Sequence, residues 1–156
     1  NLDRNYAVLC ALGSMARINI IRKVSSLGFH FINFIHPTAY VSQTTEMGEG
    51  VIVNTGAQIA TDTHLGNYVI INRGALVGHG VTINNYSILS PGVNIASNVN
   101  VGEKTYIGIG VNIVEHVNIG NNCFIGAGTL LTRDVPDNVK VVGVPGRIIE
   151  RDIEVL

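Results

Sequence analysis

The eighteen residues Val69-Ile70-Ile71-Asn72-Arg73-Gly74-Ala75-Leu76-Val77-Gly78-His79-Gly80-Val81-Thr82-Ile83-Asn84-Asn85-Tyr86 hold the pattern that decides the fold. Ile71, Val77 and Ile83 stand six apart, and Val69, Ala75 and Val81 form a second column of the same period. Stepping by six in both directions meets an aliphatic residue every time, from Ile35, Val41 and Met47 at one end to Ile119, Ile125 and Leu131 at the other. The companion column runs from Ala39 to Val135 and holds only small or β-branched residues, Thr63, Ser87, Thr105 and Cys123 among them. At even odds per position, such an aliphatic run arises about once in 10⁵ trials.

Neither a helix, with apolar residues every 3.6, nor a simple strand, with period 2, keeps register at six. A period of six fits a short flat strand, a corner and another short strand, with one large and one small side chain pointing inward per side. Three sides close a triangular coil, and a narrow prism has no room for two large side chains on each side. The repeats amount to about 5.7 coils, each rising ~4.8 Å because the strands stack as parallel neighbours. Gly48, Gly66, Gly78, Gly102, Gly108, Gly120 and Gly126 directly follow the aliphatic, where Asn54, Asn72 and Asn84 also occur. These are the expected corner residues.

The flanks divide the chain into three parts. Residues 1–34 read as a partial βαβ unit: a strand over 6–12 ending at Gly13, a helix capped by Ser14 and stopped by Gly28, then a strand over 29–35. Met15, Ile18, Ile21, Val24 and Leu27 form the apolar face of that helix. Gly13, between a strand end and a helix start, is a candidate substrate-binding position because a backbone can approach a phosphate there; a plain cap over the open end of the prism is the other reading. Residues 35–135 form the prism. Residues 136–156 form a turn and a tail, helical or extended, that closes the far end.

Composition narrows the function. The 156 residues carry Lys+Arg 10 against Asp+Glu 11, a net charge of −1, which speaks against nucleic acid or an anionic membrane as partner. No apolar run is long enough to span a bilayer. Cys10 and Cys123 cannot frame a disulfide scaffold, and Asn1–Arg4 shows no leader pattern, so a cytoplasmic location is expected.

Several strings narrow the match further: Ile35-His36-Pro37-Thr38-Ala39-Tyr40-Val41-Ser42, Val77-Gly78-His79, Ser90-Pro91-Gly92-Val93-Asn94-Ile95-Ala96, Ile107-Gly108-Ile109-Gly110 and Val142-Gly143-Val144-Pro145. With the hexapeptide period, they resemble the hexapeptide acyltransferase superfamily, and within it the NeuD/PglD-type bacterial sugar O- and N-acetyltransferases. The resemblance implies a left-handed parallel β-helix, an all-β-dominated fold. It also implies a homotrimer with sites between protomers, acetyl-CoA as co-substrate, no metal, and a sugar or nucleotide-sugar acceptor in surface-glycan synthesis. It places the catalytic base at His79 and acetyl-CoA contacts at the Ile109 and Ala127 backbones, with Ile88 bordering the acetyl group. Two departures stand out. Members usually open with a βα segment and a Gly-rich turn that are not in these residues, and their catalytic His is followed by Asp or Glu, whereas Gly80 follows His79.

Read on its own chemistry, His79 points outward near a corner, on a wall of Asn, Thr and Gly, and an imidazole there suits a general base. Stacking by eighteen puts Ser97 one coil beyond, its amide a candidate donor to an oxyanion. Arg133, Lys140 and Arg147 are candidates for the CoA phosphates. His36 is expected to be structural. Two rival functions are a trimeric scaffold without catalysis and a γ-type carbonic anhydrase built on His79 and His116. The latter lacks a third imidazole, since Asn121 and Asn122 stand where it would be needed.

Overall fold

The computed structural model describes residues 6–155; the reading of Asn1–Arg4 and the terminal Leu156 lie outside the described residues. Two-residue strands recur every six residues from Phe34–Ile35 to Leu130–Leu131. Each pairs in parallel with the strand eighteen residues on, as Leu76 does with Asn94 and Val77 with Ile95. Three walls result. Wall 1 stacks six strands from Phe34–Ile35 to Phe124–Ile125, wall 2 six from Tyr40–Val41 to Leu130–Leu131, and wall 3 five from Glu46–Met47 to Asn118–Ile119. The chain runs from wall 1 to 2 to 3 in a left-handed parallel β-helix of about six coils.

The interior follows the two sequence columns. Every aliphatic from Val53 to Leu131 and every companion from Val51 to Val135 is buried. Only the first coil is loose, with Ile35 41% exposed at the open end. Buried hydroxyls in the small column find carbonyls of the neighbouring coil: Ser87 Oγ donates to the Gly102 carbonyl at 2.7 Å and Thr105 Oγ1 to that of Gly120 at 2.9 Å. Cys123 fills the same column, and burial raises its thiol pKa.

The corner assignment needs correction. The turning residue is the third after the aliphatic, not the first. Gly80 (φ +65°), Gly92 (φ +67°), Asp62, Asn98 and His116 all take the left-handed conformation there. The glycines that directly follow the aliphatic answer a different constraint, close stacking of coils. A Cβ on Gly66 would lie 2.8 Å from the Asn85 amide nitrogen in the next coil. Where asparagine takes this place it bonds upward, as when Asn72 Nδ2 donates to the Leu89 carbonyl at 2.9 Å.

The flanks are shorter than expected. The strand over 6–12 contracts to Ala7–Val8, paired in parallel with His30–Phe31, and the strand over 29–35 breaks at residues 32–33. There Asn33 leaves the strand pattern to bond the next coil, its Oδ1 accepting the Val51 N–H at 2.9 Å. The helix is Arg17–Ser26, preceded by a turn in which Ser14 Oγ accepts the Ala16 N–H. It lies on wall 1, with Met15 against Ile52, Ile70 and Ile88, and Ile21 against Phe31 and Tyr68. Leu27 stays exposed, because the helix has ended before it.

Tyr68 donates to the Glu49 carboxylate, and burial with that bond pushes its phenol up to about 12. Arg17 is buried and donates to the Tyr86 carbonyl at 2.9 Å; desolvation brings its pKa down to about 10. The tail is extended: Val139–Val142 stacks on wall 1 and Arg147–Arg151 returns antiparallel, closing the far end. No described helix is long and apolar enough to cross a membrane.

Gly66→Ala is expected to cost about 2–3 kcal/mol, because backbone of the next coil must move. Gly92→Ala meets nothing within 4 Å and is expected to cost only about 1 kcal/mol of left-handed strain. Urea unfolding of the two variants checks this order.

Candidate active site

Three columns of turns run the length of the prism. Residues 54–56, 72–74, 90–92, 108–110 and 126–128 form edge 1/2, between walls 1 and 2. Residues 60–62, 78–80, 96–98, 114–116 and 132–134 form edge 2/3, and residues 48–50, 66–68, 84–86, 102–104 and 120–122 form edge 3/1. Except at Pro91, the second residue of each turn has an N–H to which the backbone ladder offers no acceptor. How each edge treats that N–H separates structure from function.

Edge 3/1 seals all but one of its own, that of Asn85. The N–H groups of Glu49, Asn67, Glu103 and Asn121 donate to side-chain oxygens of Asn67, Asn85, Asn121 and Asp137 one coil on, at 2.7–3.0 Å. On edge 2/3 the N–H groups of Thr61, His79, Ser97, Glu115 and Arg133, and on edge 1/2 those of Thr55, Arg73, Ile109 and Ala127, have no acceptor among the described residues. These are donors held in place by the ladder and left for something outside the chain. The Asn67, Asn85 and Asn121 column is the sequence signal that marks the closed edge.

His79 sits on edge 2/3, exposed, in the turn between Leu76–Val77 and Thr82–Ile83. Its carbonyl accepts the Asn98 N–H at 2.9 Å, fixing the backbone. Neither ring nitrogen is hydrogen-bonded among the described residues. By contrast, His36 Nδ1 meets Thr38 Oγ1 at 2.9 Å and His64 Nδ1 meets Glu46 at 3.4 Å. A Cβ at position 80 would collide with Asn98 Oδ1, so a carboxamide of the next coil fills the space that an acid after His79 would enter.

The other sequence candidates lie apart. Ser97 is one coil above His79 on the same edge, while Ile109 (59% exposed) and Ala127 lie on edge 1/2, across wall 2. The Ile88 side chain is only 1% exposed, on wall 1 beneath Met15. The expectation that it borders an acetyl group is corrected here: the period gave its wall but not the helix that covers it. Gly13 lines a cleft of about 350 Å³ with Ser14, Tyr106, Phe124 and Lys140, away from His79. There Tyr106 stacks on Phe124 at 5.1 Å, and the Lys140 ammonium lies 5.6 Å from the Phe124 ring. Arg133, on edge 2/3 three coils beyond His79, lines a second cleft of about 280 Å³ with Arg147 at the closed end. No group of three His, Cys, Asp or Glu among the described residues is placed to hold a metal.

The bacterial transferase hexapeptide family (six repeats) matches residues 98–133. The perosamine N-acetyltransferase PerB of Caulobacter crescentus, solved with CoA and GDP-perosamine, is 37% identical, with a TM-score of 0.90 over 92% of this chain and 70% of that one. The acetyltransferase domain of PglB from Neisseria gonorrhoeae, solved with acetyl coenzyme A, is 30% identical, with a TM-score of 0.89 over 92% and 70%. The chain belongs to the hexapeptide-repeat sugar acetyltransferases. WeeI of Acinetobacter baumannii, at 24% identity and a TM-score of 0.91 over 96% of this chain and 73% of that one, shares the fold of this acetyltransferase. No curated protein matches by sequence.

Proposed function

We propose that this acetyltransferase moves the acetyl group of acetyl-CoA to an amino group of a nucleotide-linked sugar in bacterial glycan synthesis, with His79 as general base in a site shared by two copies of the chain. One observation carries the shared site: the exposed imidazole and the open Ser97 N–H stand on edge 2/3, while the open N–H groups of Ile109 and Ala127 stand on edge 1/2. A single prism keeps these edges apart. Turning wall 2 toward a threefold axis brings edge 2/3 of one copy beside edge 1/2 of the next.

Wall 2 suits that role. Its outward side chains, Tyr40, Gln58, Leu76, Asn94, Asn112 and Leu130, carry no charge, and Tyr40 and Leu76 are 63% and 43% exposed. Wall 1 already carries the helix, and wall 3 presents Glu46 and His64. The resulting homotrimer has three seams, each able to hold the extended arm of CoA between two edges. Residues 35–135 carry the chemistry, 1–34 lie along wall 1, and 136–156 close the donor end. The two unpaired cysteines and the cytosolic origin of acetyl-CoA support a cytoplasmic location.

In the reaction, a neutral acceptor amine attacks the thioester carbonyl carbon while a His79 ring nitrogen takes the amine proton. The Ser97 N–H stabilises the tetrahedral oxyanion. The C–S bond then breaks, and the CoA thiolate takes up a proton and leaves as the thiol. The likeness to the perosamine N-acetyltransferase supports an amine over a hydroxyl as acceptor.

His79→Ala is expected to lower kcat about 10²–10⁴-fold with the acetyl-CoA KM little changed. Thiol release, measured with GDP-perosamine, UDP-linked amino sugars and free sialic acid, tests both base and acceptor. A wild-type rate in the variant removes His79 from the mechanism, and a monomer in sedimentation equilibrium removes the shared site. Ser97→Pro deletes the open N–H at a turn position where Pro91 already stands on edge 1/2. It is expected to lose about 10²–10³-fold in kcat while keeping the wild-type circular dichroism and trimer.

A further inference from the structure

Arg73 occupies the second position of its turn on edge 1/2, the place that His79 holds on edge 2/3. The two residues are six apart in one coil, so they differ in height by a third of a coil, about 1.6 Å of the ~4.8 Å rise. In the trimeric arrangement proposed above, on which this inference rests, Arg73 of one copy therefore stands level with His79 of the next. The Arg73 backbone is fixed, its carbonyl accepting the Gly92 N–H at 3.1 Å. Its side chain is exposed and joins no ion pair among the described residues. The corresponding residues of the other coils on this edge, Thr55, Pro91, Ile109 and Ala127, are all uncharged.

The donor leaves one side of the reaction centre free. The positions at which the resemblance and the stacking register expect acetyl-CoA contacts, Ser97, Ile109 and Ala127, all lie on coils beyond His79, so in the proposed site the CoA arm approaches from the C-terminal end and the acceptor from the N-terminal side. We infer that Arg73 of the neighbouring copy grips an oxyanion of the acceptor, either a carboxylate on the sugar or a phosphate of the linked nucleotide, and so decides which acceptors reach the imidazole. A guanidinium offers a planar fork of donors that matches either group. The rival partner is Asp62 of the facing copy, one coil below Gly80, which would make Arg73 a subunit contact only.

Arg73→Ala is expected to raise the acceptor KM about 10- to 100-fold with kcat and the acetyl-CoA KM unchanged, and Arg73→Lys to recover part of the loss. A KM effect with GDP-perosamine assigns the oxyanion to phosphate, and one with free sialic acid assigns it to carboxylate. An unchanged KM in a trimeric variant overturns the inference, as does an Asp62→Ala variant that reproduces the whole effect.

Two further arms test the placement itself. With the acceptor held well below its wild-type KM, where Arg73→Ala trimers keep only about 1–10% of the wild-type rate, an equal mixture of His79→Ala and Arg73→Ala subunits should rise to about one quarter of that rate, since random assembly gives that share of seams with both residues intact. No restoration would mean that the two residues do not act across one seam. A short bis-maleimide should also link Arg73→Cys to His79→Cys between copies in a Cys10→Ser background, and a trimer that fails to link overturns the inference without an acceptor. A monomer would instead count against the shared site itself.

Discussion

The width of the coil governs this molecule. An eighteen-residue turn encloses so little space that each side admits one large aliphatic and one small residue, and any second large side chain would force the walls apart. That limit holds every strand at the same height relative to its neighbours, with pairs always eighteen residues apart. Whatever chemistry the chain performs is therefore mounted in columns at ~4.8 Å spacing. The close backbone stacking seen at Gly66 and Gly108 belongs to the same constraint. Coils this near one another leave no room for a Cβ between them, and the resulting ladder is stiff enough to aim a single amide.

The three edges bear the same load but differ in what they do with their outward N–H groups. Edge 3/1 closes all but the Asn85 N–H with asparagine and aspartate side chains, beside a wall occupied by the helix. Edges 1/2 and 2/3 leave theirs open at Ile109, Ala127 and Ser97. An unpaired donor on a rigid ladder costs little while water solvates it and is ready for a carbonyl once water is displaced. The asymmetry gives a physical reason for treating two edges as binding surfaces and the third as scaffold.

Much of this was legible in the residues, within limits set by what periodicity encodes. Both inward columns and the outward position of His79 follow from counting by six, and the walls agree from Val51 onward. The turning residue was misassigned because two positions in each hexapeptide favour glycine for different reasons: left-handed φ at the third after the aliphatic, as in Gly92, and close stacking at the first, as in Gly66. The spacing alone does not separate them. Ile88 illustrates another limit. Its column names its wall, but only the fold shows that Met15 covers it. The broken strand near residue 33 has the same kind of cause, since Asn33 trades strand pairing for bonds to Gly48 and Val51 across a coil.

The vacancy beside His79 follows from the same geometry. An acid at position 80 would need Asn98 to yield, and Asn98 is pinned through its own N–H to the His79 carbonyl. The chain thus exchanges a carboxylate that would raise imidazole basicity for a neutral carboxamide packed over the turn. In the proposed mechanism, a base without a neighbouring acid draws on proximity and orientation of its substrate. A cation across the seam at the same height, aligned on an acceptor rather than on the imidazole, is one way for the assembled site to meet that demand.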